Sequence, residues 1–252
     1  MNSNTRILAL AAVATAVATV GAGAAVGTSL GDNTAPTREQ AIVIAHGSDR
    51  LPNQTASDWV TYADHVVVVT PRSEKPMRPS KEEVDRGEGL ILREVTFSVD
   101  DVLWSRPGAD QAAPDTFAWT AYGWQFTDGD LSKKVKMAGE GEPRIEGGHQ
   151  YVMAIEWQEA RCSPGDVVPA QWRGLGADST LPYDGNVIGQ GEVEGKRQSV
   201  GQAREAANTA GADASLEDAM AGRDAAALDK ALRSAKPVAK QQFGPPESKA
   251  TC

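Results

Sequence analysis

Hydrophobic and polar positions divide the chain into three stretches. Residues 7–30 run without a charged side chain, behind a short start whose only charged side chain is Arg6. A run of that length is long enough to cross a bilayer as a helix. From Asp58 to about Ile188 the pattern is that of β structure. After Asp64-His65, Val66-Val67-Val68-Val69-Thr70 is a continuous β-branched run, as in a strand buried on both faces. Val95, Phe97 and Val99 alternate with Glu94, Thr96 and Ser98, and Asp100-Asp101 then breaks the phase. A strand that changes phase predicts a bulge or a sharp bend there. Thr116 to Phe126 reads as a strand with Phe117 and Trp119 on one face and Tyr122, Trp124 and Phe126 on the other. Lys133–Met137 and Tyr151–Trp157 read as further strands, and Val187-Ile188 follows the turn Asp184-Gly185-Asn186. Pro71 to Gly89 is charged and Pro-containing, so it reads as a long surface loop.

Five to six strands separated by turns favour a small closed or nearly closed barrel over a sandwich. Past Glu192 the stretch to Asp213 reads as a linker or weak helix. Ser215 to Ala235 is helical, with Ser215 and Asp218 in capping-box spacing and Gly222 dividing it into two short helices. Pro237 ends it. The expected organisation is an export or anchoring segment at 1–31, a tether at 32–57 with one apolar patch at Ala41–Ala45, a β domain at 58–190, and a linker, helical segment and irregular tail at 191–252. The expected fold is therefore mainly β, with an N-terminal hydrophobic helix before it and a C-terminal helical appendage after it.

The N-terminal segment has the charge order of a secretory signal. Its eight strong membrane formers supply only about −2 to −5 kcal/mol toward insertion. Ala22-Gly23-Ala24-Ala25 offers the small residues that signal peptidase needs. Cleavage is the favoured reading, and a retained single-pass anchor made by residues 7–30 is the alternative. Either places the remainder outside the cytoplasmic membrane. There the two cysteines, Cys162 and Cys252, are expected to join. That bridge would close a loop of about 90 residues, worth up to about 4–5 kcal/mol in the chain-entropy account. A net charge of −9 with no basic cluster argues against nucleic acid and anionic lipid headgroups as partners. Membrane contact would come only through the N-terminal segment.

The residues from Ala63 to Val69, the strand ending Val99-Asp100-Asp101-Val102-Leu103-Trp104, and Gly147-Gly148-His149-Gln150-Tyr151-Val152-Met153-Ala154 carry a resemblance. Together they resemble a loose class of exported bacterial proteins, commonly actinobacterial, with an OB-like barrel. The netrin-like module of tissue metalloproteinase inhibitors has a related architecture. The resemblance covers roughly residues 58–188 and implies an OB-like fold. It implies no functional residue, because the metal-chelating N-terminal cysteine of those inhibitors has no counterpart here.

Candidate chemistry is sparse. His46, His65 and His149 lack metal-ligand spacing. His46-Gly47-Ser48-Asp49 reads as a polar turn and not as a triad. Asp128-x-Asp130-x-Ser132 opens like a calcium loop but lacks its closing Glu. Asp100-Asp101 is either a carboxylate pair or part of a bulge. No catalytic residue, metal site or cofactor motif is assigned. The aromatic group Trp119, Tyr122, Trp124 and Phe126, with Trp157 nearby, stands out. It is either covered by the C-terminal helix or exposed as a stacking platform for sugars or a partner. The expected function is a non-enzymatic binding or interaction domain acting on a cell-envelope or extracellular ligand. A hydrolase with an unfamiliar site and a tethered structural protein are the alternatives.

Overall fold

The computed structural model describes residues 41–47, 49, 51–163, 166–211 and 214–241. The segment at 1–31, with its expected helix, lies outside these, as do residues 32–40, 48 and 50 of the tether and Cys252. Among the described residues no helix is long and apolar enough to cross a membrane.

In chain order the elements are β1 (Ile42–Ala45), α1 (Ala56–Tyr62), β2 (His65–Pro76), α2 (Lys81–Arg86), β3 (Gly89–Ser105), β4 (Thr116–Thr127), β5 (Asp130–Gly139) and β6 (Tyr151–Gln158). Then follow β7 (Arg161–Ser163), β8 (Asp166–Val168), β9 (Gln171–Gly174), β10 (Thr180–Pro182), β11 (Gly191–Val193), β12 (Lys196–Gln198), α3 (Val200–Ala210), α4 (Leu216–Met220) and α5 (Ala225–Ser234). The protein is mainly β. Eight strands form one mixed sheet in the order β1-β5-β4-β3-β2-β6-β10, and β9 shares the outer edge of β6 with β10. Only the β1–β5 pairing is parallel within this sheet.

The valine run explains why the sheet has two cores. Val66 and Val68 face one side, where they meet Trp104, Val152, Leu181 and the apolar faces of α1, α4 and α5. Val67 and Val69 face the other, with Val95, Phe97, Phe117, Tyr151, Met153, Ile155 and Trp172. Both faces exclude water, so the run carries no polar alternation. The phase break in β3 is a bulge: Val69 pairs with Val99 and Val68 with Asp101, leaving Asp100 unpaired in the ladder.

The expected closed barrel is not formed. The sheet curls until β4 and β9 touch, but the two share no ladder. Their seam is filled by side chains: the Trp119 ring lies so close over Gly174 that a Cβ there would overlap it. A bulky indole in the gap keeps the backbones too far apart to hydrogen-bond.

Three other expectations are corrected. Residues 71–89 do not form one long loop. β2 continues to Pro76, and Ser80 and Glu83 make a reciprocal capping box for α2. The start of the expected β region is instead α1, capped by Thr55 and Asp58 in the same way. The stretch read as a linker or weak helix does hold a helix, α3, but it begins with the β11–β12 hairpin, which was not expected. That hairpin turns at Glu194-Gly195, both at positive φ, the geometry of a two-residue primed turn. Glu is an unusual residue there, which hides the signal. The cohesive structure also draws on residues outside 58–190. Ile42–Ala45 of the tether adds β1 to the sheet edge, and Leu228 and Leu232 of the helical segment are buried against α1. Ser215 does cap α4 with Asp218, and Gly222 at φ 78° separates α4 from α5.

Candidate functional site

A cleft of about 580 Å³ opens at the β4–β9 seam. Trp119, Ala121 and Tyr122 line it from β4, Trp172 and Arg173 from β9, and Asp49 and Glu142 from two loops. Strict alternation along β4 would put Trp119 and Tyr122 on opposite faces. Both line the cleft all the same. β4 carries an extra residue between Ala121 and Trp124, since Ile91 pairs with Trp124 but Arg93 with Ala121, and this bulge breaks the alternation there. Trp172 is in turn fixed by a T-shaped contact with Trp157, with ring centroids 5.2 Å apart.

The other two members of the expected platform lie elsewhere. Phe126 is fully buried. Trp124 does not line the cleft, and its ring carries Lys134 at 4.2 Å and the Arg144 guanidinium at 5.5 Å. Such contacts are favourable cation–π pairs.

The loop bearing Glu142 is held from several directions. Arg144 is buried and donates to the carbonyls of Met137 (3.0 Å) and Gly123 (2.7 Å) and to the Glu146 carboxylate. Arg93, also buried, donates through Nη2 to the carbonyls of Arg144 and Ile145 and pairs with Glu74. Buried Glu192 accepts from the Arg144 backbone N–H at 2.9 Å and from the Tyr151 hydroxyl at 3.0 Å. The hairpin turn completes the frame: Glu194 N–H donates to the Glu142 carbonyl (3.0 Å), and Gly141 N–H donates to the Glu194 carboxylate (2.9 Å). Glu142 itself folds back over Gly139, where a Cβ would overlap its carboxylate. A backbone so fully bonded has little freedom, and its side chain is presented in one place.

Two carboxylates at the cleft occupy different environments. Asp49 accepts from the Asn53 amide (2.8 Å) and from the Ala177 backbone N–H (2.9 Å). Burial, together with the negative charges of Asp49 and Asp178, pushes Glu142 up to about 7. Burial raises Tyr122 as well, helped by Glu142 and Asp49. Behind the cleft, burial and the charges of Asp178 and Asp218 raise Glu217 to about 7. Asp49 and Asp178, from distant stretches of chain, therefore both act on Glu142, and Asp178 also acts on Glu217.

Residues singled out from the sequence settle as follows. His46 pairs with exposed Glu140, and Ser48 lies outside the described residues. His149 meets Asp184 at 2.5 Å, and His65 bridges Ser105 and the Gln111 carbonyl at 2.9 Å each. The three histidines do not gather, and among the described residues no cluster suited to a metal is present. Asp130 bonds Ser132 in a local turn, while Asp128 pairs with Lys133. Asp100 and Asp101 diverge: Asp100 ties Thr70, Ser98, Arg72 and Gln150 together, and Asp101 accepts from Val102 N–H. Cys162 lies in β7; its side chain and Cys252 are outside the described residues, so the expected disulfide is too. Asp49 was weighed from the sequence only within His46-Gly47-Ser48-Asp49, which reads as a polar turn, and Glu142 was not singled out. The glycines at 139 and 141 beside Glu142 were its one local hint. Against these features, no family model, no curated protein and no solved structure matches the chain.

Proposed function

We propose that the protein is an exported, non-enzymatic binding domain that takes a cell-envelope saccharide into the cleft between β4 and β9. The observation that carries this reading is the convergence of Trp119, Tyr122 and Trp172 with Asp49 and Glu142 in one opening. Aromatic faces stack on the apolar faces of sugar rings, and carboxyl groups bond their hydroxyls. Export rests on the N-terminal segment and on the resemblance to exported bacterial proteins. The test is titration of the protein with soluble peptidoglycan fragments and chito-oligosaccharides, followed by tryptophan fluorescence and calorimetry. Saturable binding that Tyr122→Ala weakens about tenfold supports the reading; stacking losses are of the order of 1–2 kcal/mol. Absence of binding to the whole panel overturns it.

A second reading has one specific observation in its favour. Glu142 retains its proton near neutrality beside Asp49, whose two oxygens each accept a hydrogen bond. A carboxyl group that holds its proton near neutrality is what glycoside hydrolysis uses as its general acid. Turnover of the same saccharides, abolished by Glu142→Gln with binding retained, would make the protein a hydrolase. Binding without turnover leaves the non-enzymatic reading standing.

A further inference from the structure

The β4–β9 cleft has a sign of charge as well as a shape. Trp119, Tyr122 and Glu142 line it half-buried, and Asp49 lines it exposed, so all four are open to a ligand. The two carboxyl groups are not equivalent. Asp49 has one oxygen on the Asn53 amide and the other on the Ala177 backbone N–H. The Glu142 backbone is fixed by the hairpin turn, yet its carboxyl has no hydrogen-bond partner among the described residues. The charges that act on it, Asp49 and Asp178, are both negative, and with burial they raise it. Tyr122, on β4, feels the charges of Glu142 and Asp49 as well. Two arginines line the cleft, and neither is directed at Glu142. Arg144 is committed to Glu146 and to the Met137 and Gly123 carbonyls. Arg173 is exposed on β9, its Nη1 3.4 Å from the Gln158 amide oxygen. An ionised carboxylate only accepts hydrogen bonds, and here no donor meets it. The faces of the Trp119 and Tyr122 rings add to the negative potential, since aromatic faces attract cations.

We propose that the saccharide taken into this cleft is a cationic amino sugar, one whose amino group is not acetylated, with its ammonium on Glu142 and Asp49 and its ring against Trp119 and Tyr122. The inference rests on the cleft taking a saccharide and adds the charge of that ligand. An ammonium brings three N–H donors and a positive charge to a carboxyl that has neither beside it. An N-acetyl group brings one donor and no charge. The net charge of −9 acts in the same direction at longer range, drawing cations toward the protein.

The test is calorimetric titration of the full chain with four probes: the glucosamine tetramer, the N-acetylglucosamine tetramer, a guanidinylated glucosamine tetramer, and tetralysine. The glucosamine tetramer should bind about tenfold more tightly than its N-acetylated counterpart, the worth of one charge-assisted hydrogen bond. The guanidinylated tetramer keeps its charge at every pH used. Its affinity should therefore rise several-fold from about pH 5.5 to 8.5, as Glu142 ionises. Glu142→Gln should remove most of that rise, Asp178 being raised too and contributing the remainder. Tyr122→Ala should weaken both cationic tetramers. Equal affinity for the glucosamine and N-acetylglucosamine tetramers overturns the proposal and leaves a saccharide cleft standing. Binding of no tetramer at all removes the saccharide cleft itself. Tetralysine binding as tightly as the glucosamine tetramer overturns the proposal, because the site would then recognise a peptide cation. So does a glucosamine tetramer that salt displaces but Tyr122→Ala does not weaken, because the net charge alone would then be holding it.

Discussion

Glu142→Gln should stabilise the protein above neutral pH and change it little near pH 4. In the folded protein the Glu142 carboxyl is raised from 4.5 to about 7 by burial and by the charges of Asp49 and Asp178. The folded state therefore holds a proton that the unfolded chain has already released between these two values. Stability contributed by that proton is complete below about 4.5, falls as pH rises through the window, and is lost above about 7. The difference in proton affinity sets a ceiling of about 3 kcal/mol. The carboxyl is partly open to the cleft, so solvent screening reduces the expected effect to about 1–2 kcal/mol. Glutamine keeps the volume and cannot ionise. Urea unfolding of both proteins at several values from pH 4.5 to 8.5, read by linear extrapolation, measures the effect. The variant's advantage should grow across the series, with most of the growth between pH 5 and 7. Parallel curves would refute the reasoning, because they would mean that Glu142 ionises in the folded state as it does in the unfolded chain. Glu217, also raised to about 7, should leave a residual slope in Glu142→Gln that the double variant with Glu217→Gln reduces, the raised Asp178 still contributing.

Other substitutions address the frame around the cleft. Gly174→Ala places a Cβ into the Trp119 ring and should cost about 1–3 kcal/mol by overpacking, measured by urea midpoint. Arg144→Met strands the Met137 and Gly123 carbonyls and leaves the Glu146 carboxylate to Lys136; a loss of about 3–5 kcal/mol is expected from the same assay. Thr55→Ala removes the hydroxyl that accepts from Asp58 N–H and donates to the Asp58 carboxylate at the start of α1. It should cost about 1 kcal/mol, seen as a fall in Tm of about 2–4 °C.

Local features were legible in the sequence because their causes are local. The unbroken valines 66–69 meant burial on both faces, and both faces are indeed covered. Asp100-Asp101 marked the bulge because alternation fails there. Ser215, Asp218 and Gly222 placed and divided the C-terminal helices through capping and a left-handed break. Thr55 and Asp58 carried the same capping signal for α1, but the apolar residues after them, Trp59 and Val60, read equally well as strand. The closure of the sheet and the content of the cleft were decided only in three dimensions. Whether β4 and β9 share a ladder or are held apart by an indole depends on contacts between residues 119 and 174. Which aromatics share a face depends on one extra residue in β4 against β3, which no alternation within β4 reveals. The proton affinity of Glu142 depends on burial and on charges at 49 and 178, brought near by the curl of the sheet. Sequence by itself determined the strands and caps, because a side chain's nearest neighbours along the chain govern backbone preference. The tertiary structure decided the site, because desolvation and electrostatic coupling act through space between residues that the chain keeps far apart.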